Sequence, residues 1–444
     1  MSGMEIGLWV LGGVLLILAL RVHVGVGMLL GGVACYLIVN HGDTTALLFT
    51  INNLVYARFS NYDLAVIPLF VLMGQFAIHG GLSRALFKAA AAFIGHWRGG
   101  LAMSAAGACA GFGAICGSSL ATAATMSQVA LPELEKHHYP PKLAAGTVAA
   151  AGTLGILIPP SVPLIIYAVL TEESIAKLFM AAVIPGLVAM FGYLVVIRLV
   201  AVRTMASVPR VDKAGWPQRW RALLEVSPVL LIFIVVIFGI YGGWANLTEA
   251  ASIGAAACGV FAVVRGGLRW KGLYQSLIGT AEATAMIYLV VVGADLLNSG
   301  LALSQMPAEL ASWVADSGLA PFVVLLSILA IYLLLGCVMD SLSMILLTVP
   351  IFYPIVVNLE FFDLTYTEKS IWFGILALMV VEIGLITPPM GMNLFIVQKY
   401  SANTSLGTVS RGIVPFLYAD VIRIGILVMI PALSLLLLNL PGSG

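Results

Sequence analysis

The sequence contains the stretch GTLGILIPPSVPLIIY at residues 152–167 and a second version of it, VEIGLITPPMGMNLFI, at residues 381–396. Each version places two consecutive prolines four and five residues after a glycine, inside an otherwise apolar run. Proline lacks the backbone donor that an α-helix needs, and it pushes the residue before it out of the helical region. Both stretches therefore predict a helix that is broken at the double proline.

The composition indicates where such broken helices lie. The chain has 444 residues, of which 61% are hydrophobic and 9% charged, and its mean hydropathy is +1.07. These values are typical of an integral membrane protein and exclude a soluble domain. Inside a bilayer, a broken helix is tolerated only where its free backbone groups face protein or a polar cavity. Two such breaks in matching halves indicate the ion and substrate site of a transporter.

The apolar segments define a multi-pass topology in the lipid bilayer. The first run has no small-residue cleavage site before the second, so we interpret it as a retained span rather than a signal peptide. Residues 44–62 are too polar to span and predict an interfacial helix. Continuous spans are predicted at residues 5–20, 24–40, 63–80, 176–198, 226–243, 247–264, 273–300 and 412–438, re-entrant hairpins at 99–132 and 320–356, and broken helices at 142–171 and 370–398.

Basic residues test this topology. If the amino terminus is outside and each hairpin returns to its own side, all 21 lysines and arginines except four fall on the cytoplasmic side. Arg58, Lys177 and Lys369 fall outside, and Arg423 falls within a span. This is the asymmetry that the positive-inside rule requires, and a wrong hairpin would reverse every later loop. The first hairpin is therefore predicted to open from the cytoplasm, the second from the outside, and both termini are predicted to be periplasmic.

Matching residues continue beyond the double prolines. Gly74 matches Gly293 and Pro132 matches Pro350, at separations of 219 and 218 residues. Two halves with opposite hairpin orientation form an inverted repeat. We therefore predict an all-α integral membrane protein of the inverted-repeat transporter type. Its predicted parts are N-terminal scaffold spans with the interfacial helix (1–62), a first repeat (63–203), a basic cytoplasmic linker with scaffold spans (204–272) and a second repeat (273–444).

The first candidate site combines the break in the first hairpin with the first broken helix. Gly117, Ser118 and Ser119 allow backbone carbonyls and hydroxyls to converge, and sodium binds such oxygens. Ser161, directly after the double proline, is a further candidate contact for substrate. The alternative interpretation is that the small residues serve close helix packing and that the prolines only kink a span.

The second candidate site pairs the second hairpin break with the second broken helix. Ionisable residues at membrane depth are functional by default, and Asp340 in the hairpin break is the strongest such candidate for binding substrate or ion. Glu282 and Glu382 also lie at membrane depth, and Glu382 alternatively holds the broken helix through a structural hydrogen bond. Asp420 and Arg423 are predicted to neutralise each other. The residues of this site are Gly336, Asp340, Gly384, Thr387, Met390 and Asn393.

Several functions are excluded or disfavoured. No metalloprotease, nucleophile-elbow or nucleotide-binding motif occurs, so the chain is not predicted to be an enzyme or to hydrolyse ATP. The five cysteines lie in apolar stretches without ligand spacing and predict neither a disulfide framework nor a metal site. An intramembrane hydrolase using Asp340 and Asp295 remains an alternative, but it leaves the repeat unexplained. A channel is another, although paired broken helices suit alternating access better.

Six motifs carry a resemblance to a known family and together cover nearly the whole chain. They resemble the large membrane subunit of tripartite ATP-independent periplasmic (TRAP) transporters. The motifs are FGAICGSSLATAAT (112–125), AAGTLGILIPPS (150–161), LLLGCVMD (333–340), VPIFYPIV (349–356), IWFGIL (371–376) and EIGLITPPMGMNLF (382–395).

The resemblance implies an elevator mechanism, in which a transport domain bearing both hairpins slides across a static scaffold. It implies Na⁺ as the coupling ion, no organic cofactor, and uptake of an organic anion delivered by a periplasmic substrate-binding protein. The anion class includes C4-dicarboxylates, sialic and other sugar acids and keto acids. It further implies a small four-span membrane subunit, a bacterial inner membrane location and no nucleic acid partner. A stand-alone sodium- or proton-coupled anion symporter of a related elevator group is the alternative.

The same resemblance implies two sodium sites built mostly from backbone carbonyls, which explains how apolar residues serve as ligands. Many relatives have serine where this chain has Gly113 and Cys116, so only carbonyls remain at these positions. The first sodium site is Gly113, Cys116, Gly155, Ile158 and Pro160; the second is Gly336, Gly384, Thr387 and Met390; the substrate candidates are Ser118, Ser119, Ser161, Asp340 and Asn393.

The segment at residues 357–370 is longer than is usual in that family, and it carries Glu360, Asp363 and Glu368. Because it is predicted to lie outside, it could contact the binding protein. We favour the interpretation that it is an unconstrained surface insertion.

Overall fold

The structure is a computed structural model that describes residues 2–20, 22–204, 211–401 and 404–438. Arg21 and Arg210 of the predicted cytoplasmic set, with the linker residues 205–209, lie outside the described residues. Within these ranges every regular element is a helix. Six helices are long and apolar enough to cross a membrane, and two bent helix pairs bring this number to eight.

The first helices precede the first hairpin. The interfacial segment predicted at residues 44–62 is helical, although one of its side chains, Arg58, pairs with Asp295 of a later helix. A bend of 65° at the Gly81 turn separates the fourth and fifth helices. These elements are α1 (Gly3–Ala19), α2 (Val24–Val39), α3 (Thr45–Phe59), α4 (Val66–His79) and α5 (Leu82–Ile94).

The first hairpin and the first broken helix follow. The hairpin continues to Lys136, four residues beyond the predicted end at 132, because Pro132 is accommodated inside its second helix. The elements are α6 (Gly100–Cys116), α7 (Ser119–Lys136), α8 (Pro141–Gly152), α9 (Leu154–Leu157), α10 (Val162–Thr171) and α11 (Ile175–Thr204).

Two apolar helices and the longest helix of the chain come next. Trp216 and Trp220 near the start of α12 and Trp244 just beyond its end are exposed, as expected for aromatic anchors at the two interfaces of a bilayer. The elements are α12 (Trp216–Tyr241), α13 (Leu247–Val264), α14 (Trp270–Leu303) and α15 (Met306–Asp316).

The remaining helices repeat the order of the first half. Helices α14 and α15 correspond to α4 and α5, the second hairpin to the first, the second broken helix to α8–α10, and α20 to α11. The elements are α16 (Pro321–Gly336), α17 (Ser341–Asn358), α18 (Tyr366–Gly384), α19 (Met392–Tyr400), α20 (Leu406–Met429) and α21 (Ala432–Leu435).

Glycines allow distant helices to approach at backbone distance. A Cβ added to Gly32 of α2 would lie 2.7 Å from the Leu296 carbonyl carbon of α14, and one added to Gly300 would lie 2.9 Å from Cys35 Cβ. A Cβ on Gly146 of α8 would likewise lie 2.5 Å from the Gly412 carbonyl carbon of α20. Small residues permit such close packing where lipid provides no hydrophobic driving force between helices.

The segment at 357–370 is not an unconstrained insertion, so that interpretation is wrong. Residues 366–370 already belong to α18, and the intervening turn is held by Phe361, which is 1% exposed. The Phe361 ring packs edge-on against Phe322 and Trp372, with ring centroids 5.4 and 5.3 Å away. The buried Lys369 amine donates to the Leu359 carbonyl at 3.0 Å. Aromatic burial therefore fixes this turn on the second hairpin.

Candidate functional site

A hairpin break meets a broken helix in the first half of the chain. Helices α6 and α7 are joined by Gly117, at a left-handed φ of 62°, and by Ser118, the N-cap of α7. The Gly117 amide donates to the Gly113 carbonyl at 2.7 Å. A Cβ on Gly113 would overlap the Cα of Gly155 in α9. The two backbones are therefore in direct contact at the break.

The second half repeats this contact. A Cβ added to Gly384 of α18 would lie 2.5 Å from the Gly336 Cα, and one added to Gly336 would lie 2.9 Å from the Gly384 Cα. Gly155 and Gly384 occupy the same position relative to the double proline in the two halves. Because no other residue allows this approach, the two breaks are built on the same backbone arrangement.

Both double prolines contain a cis peptide bond, and in both cases the helix stops before them. Helix α9 ends at Leu157, and α10 begins at Val162 with a bend of 41° from the preceding helix pair. Helix α18 ends at Gly384, and α19 begins at Met392. The predicted helix breaks are thus confirmed at both positions.

The two hairpin breaks face one cavity of about 410 Å³, which we name the central cavity. Ser118 and Ser119 line it from the first break, and Asp340, Ser341 and Ser343 line it from the second. Helices α2, α4 and α14 form the opposite wall, and the starts of α10 and α19 also line the cavity. Representative residues of those walls are His23, Gln75, Met286, Val290, Val162 and Met392.

Among the described residues, five helices begin at the central cavity: α2, α7, α10, α17 and α19. The first turn of a helix has backbone N–H groups without intrahelical partners, and the helix dipole adds partial positive charge there. Among the described residues, no lysine or arginine lines the cavity. Backbone N–H groups at the helix starts are therefore the cavity's main means of binding hydroxyl or carboxylate oxygens, and Asp340 adds a carboxylate to the lining.

Asp340 has a local role at this cavity. As the N-cap of α17, its carboxylate accepts hydrogen bonds from the Ser343 amide at 3.2 Å and from the Ser343 hydroxyl. The side chain is half-buried and still lines the cavity. Asp295 instead pairs with Arg58 in a separate cavity of about 860 Å³. The aspartate pair required by the hydrolase alternative is therefore not formed.

Among the substrate candidates, Ser161 and Asn393 are fully buried and do not line the central cavity. The Ser161 hydroxyl has no partner within the described residues. The Asn393 amide nitrogen donates to the Ala149 carbonyl at 3.4 Å, while its carbonyl oxygen has no such partner. Of the two, only Asn393 makes a side-chain link, which joins α19 to α8.

The residues of the first predicted sodium site converge at the first hairpin break. Cys116 lines the central cavity. Gly113 contacts Gly155, and the Pro160 carbonyl would lie 3.2 Å from a Cβ on Gly117. Ile158 follows α9 in an extended conformation, with its amide donating to the Leu154 carbonyl at 3.2 Å.

The second predicted sodium site is brought together only in part. Gly336 and Gly384 are in contact. The Thr387 hydroxyl donates to the Ile383 carbonyl at 2.6 Å, within its own chain segment. Met390 is 52% exposed and does not line the central cavity.

Glu382 is fully buried, and neither carboxylate oxygen has a partner that meets strict hydrogen-bond geometry in the described part of the chain. The Ser119 hydroxyl is the neighbouring donor, so the structural hydrogen bond stays a prediction. Ser119 lies beside it, and Arg423 and Asp420 are the charges that act on it. Those two form the predicted buried ion pair at 3.0 Å.

Sequence reasoning missed part of the cavity wall. Gln75 is a lone amide in the apolar helix α4, and this signal could have identified it. Sequence reasoning also missed Thr122, which lies at the glycine contact and not in the cavity wall. Its hydroxyl oxygen would lie 2.5 Å from a Cβ on Gly155 and has no partner in the described ranges. A threonine within a small-residue helix gives no such signal, because its neighbours come from distant segments.

Residues 11–433 match the family described as "Tripartite ATP-independent periplasmic transporter, DctM component". The chain belongs to this family. The C4-dicarboxylate TRAP transporter large permease protein DctM of Pseudomonas aeruginosa is 37% identical over 90% of this chain and 92% of its own length. The sialic acid TRAP transporter large permease protein SiaM of Vibrio cholerae is 31% identical over 85% of this chain and 86% of its own.

A solved structure shares the fold of this TRAP permease. The YdaH transporter of Alcanivorax borkumensis matches with a TM-score of 0.63 at 15% identity, over 87% of this chain and 88% of its own. The similar proteins are named as transporter permeases and not as enzymes. The TRAP permease is thus a multi-pass protein of the inner membrane and the large membrane component of its transporter.

Proposed function

We propose that the TRAP permease carries out secondary active, sodium-coupled uptake of an organic anion by an elevator mechanism. A soluble periplasmic protein delivers the anion, and a small four-span membrane subunit packs against the scaffold. The observation that carries this proposal is the convergence of two hairpin breaks and five helix N-termini on the central cavity.

Two sodium ions bind at the glycine contacts in this proposal. Hairpin breaks and unwound helices leave carbonyls free to coordinate a small cation, as in other broken-helix transporters. The Gly113–Gly155 and Gly336–Gly384 contacts leave no room for a side chain, so the oxygens there are those of the backbone. The fit is better at the first site, since Met390 of the second points elsewhere.

The anion binds in the central cavity between the two breaks. The names of the relatives cited above indicate a C4-dicarboxylate or sialic acid as the substrate class. Helix N-termini hold its carboxylate, and Ser118 supplies a hydroxyl. Because Asp340 already accepts two hydrogen bonds as an N-cap, we assign it to α17 rather than to the anion.

The moving unit comprises both hairpins and both broken helices, which pack on one another through the glycine contacts. The static scaffold includes α2, α4 and α14, which form the opposite wall of the cavity. Both termini are periplasmic in this arrangement, which the distribution of basic residues supports.

The energetics restrict the stoichiometry. Moving one elementary charge across the membrane is worth about 2.3 kcal/mol per 100 mV. Two sodium ions cancel the charge of a dianion, which leaves the sodium concentration gradient to drive its uptake. A monoanion such as a sugar acid moves with net positive charge and is driven by voltage as well.

Uptake of radiolabelled succinate and sialic acid into proteoliposomes tests the proposal. The vesicles contain the permease with its small subunit, with and without an imposed sodium gradient and the cognate binding protein. We expect uptake only when sodium and the binding protein are both present. Sodium-driven uptake without the binding protein would favour a stand-alone symporter, and failure of both anions under the full conditions would contradict the substrate class.

A further inference from the structure

The turn between α17 and α18 presents a rigid apolar tip between acidic side chains. Phe362 is 47% exposed, and its ring packs against Phe322 at 5.3 Å between centroids. Glu360 and Asp363 flank it and are exposed. Phe362 and Asp363 have left-handed φ values of 48° and 56°, which non-glycine residues adopt only where the surroundings impose them.

The tip is held from both sides. Phe361 is buried against Phe322 and Trp372. On the α18 side, Thr365 and Glu368 form a capping box, in which the Thr365 amide donates to Glu368 at 2.9 Å. A surface feature fixed in this way loses little conformational entropy when a partner binds it.

Further carboxylates lie on helices that pack against α17. Asp316 ends α15, shortly before the helix that carries Phe322, and Glu309 is exposed on α15. Glu172 is exposed at the end of α10, and the charge of the adjacent Glu173 acts on Tyr353 of α17. We name the exposed set of Glu172, Glu309, Asp316, Glu360, Phe362 and Asp363 the acidic face.

The basic residues on this side do not neutralise the acidic face. Arg58 is paired with Asp295, and Lys369 is buried with its amine on the Leu359 carbonyl. Among the described residues placed outside by the topology, Lys177 is therefore the one basic side chain left exposed without an ion pair.

We propose that the acidic face is the docking surface for a soluble protein whose contacting face is basic and has an apolar recess for Phe362. This inference rests on the proposed function and its topology, and the partner is the protein that delivers the anion. An exposed aromatic ring surrounded by charges has the composition of an interface hot spot with a polar rim. Complementary charge steers the encounter and makes it sensitive to salt.

Binding of the purified binding protein to the permease and its small subunit in nanodiscs tests this docking surface. We expect Phe362→Ala to raise the Kd at least tenfold, and Glu360→Lys with Asp363→Lys to raise it further. The wild-type Kd should increase between 50 and 300 mM NaCl, roughly the range over which the Debye length falls from about 14 to 6 Å. The reversed-charge variant should lose most of that salt dependence.

The matched control reverses the same number of charges on the opposite side. Glu135→Lys with Glu225→Lys changes two exposed carboxylates that the topology places in the cytoplasm, and its Kd should equal that of the wild type. Unchanged Kd values in all variants, together with uptake that still requires the binding protein, would overturn the docking surface alone. Uptake that never requires the binding protein would overturn the tripartite proposal itself.

Discussion

At the scale of single residues, facing glycines allow each hairpin to contact its broken helix at backbone distance. A methyl group at residue 384 would lie 2.5 Å from the Gly336 Cα, a distance that the backbone can accommodate only by shifting. Overpacking of this kind costs about 1–3 kcal/mol, and here it also displaces the carbonyls proposed to bind sodium.

We therefore expect Gly384→Ala to lower sodium-driven uptake more than tenfold and to abolish thermal stabilisation by sodium. Uptake and melting curves with and without sodium measure both effects. Gly192→Ala is the control, because nothing lies within 4 Å of its added Cβ. Full uptake by the Gly384 variant would remove the second sodium site.

The buried ion pair of α20 is a second test at residue scale. Tyr193 donates to Asp420 at 2.9 Å, and Arg423 lies 3.0 Å from the same carboxylate. Removing one partner of a buried pair costs about 3–5 kcal/mol, whereas replacing both is often neutral. Arg423→Met should thus destabilise the protein strongly, and adding Asp420→Asn should restore most of the loss. The free energies of unfolding of both variants in mixed micelles measure this difference. Equal stability of the single and the double variant would contradict the expected rescue.

Residues could be predicted from the sequence where the deciding pattern lies within a few positions of the residue itself. The glycines and double prolines are backbone signals, and they identified both breaks correctly. The state of Glu382 could not be predicted, because its partners would have to come from Ser119 and from α20, far away in the sequence.

At the scale of elements, the N-cap of α17 provides a test of the role of Asp340. Asparagine caps a helix as well as aspartate, while alanine costs about 1 kcal/mol. If Asp340 serves α17 alone, Asp340→Asn should keep at least half of the wild-type uptake, and Asp340→Ala should lose most of it. Initial uptake rates provide the measurement. Equal inactivity of both variants would show that the negative charge itself is needed.

The elements that sequence analysis missed are short and amphipathic. Helix α5 is not among the predicted elements, because Arg84 and Lys88 interrupt its apolar residues, although Leu82, Leu86 and Phe87 are buried on one face. Helix α15, its counterpart, is not among them either; it is short, and its charged residues are Glu309 and Asp316. Long apolar spans were identified readily, because their mean hydropathy is high along the whole segment.

At the scale of the whole molecule, the elevator proposal predicts that a covalent link between the scaffold and the first hairpin stops transport. A Cβ at residue 74 of α4 would lie 3.3 Å from the Cys116 sulfur, a separation that a disulfide can bridge. Oxidised Gly74→Cys should lose uptake, and a reductant should restore it.

The wild-type chain, treated with the same oxidant, is the control for that experiment. All five of its own cysteines are free thiols. If the cross-linked variant continued to transport at the wild-type rate, the scaffold and the hairpin would not need to move apart.

The contact between α8 and α20 also has a consequence for biogenesis. Gly146 and Gly412 touch in the finished protein, yet 266 residues separate them in the chain. At about 5–20 residues per second, the ribosome completes α20 roughly 13–50 s after α8. During that interval the small-residue face of α8 has no α20 to cover it. The first half of the permease must therefore be held by the insertion machinery, or by its own neighbours, until the last long helix is made.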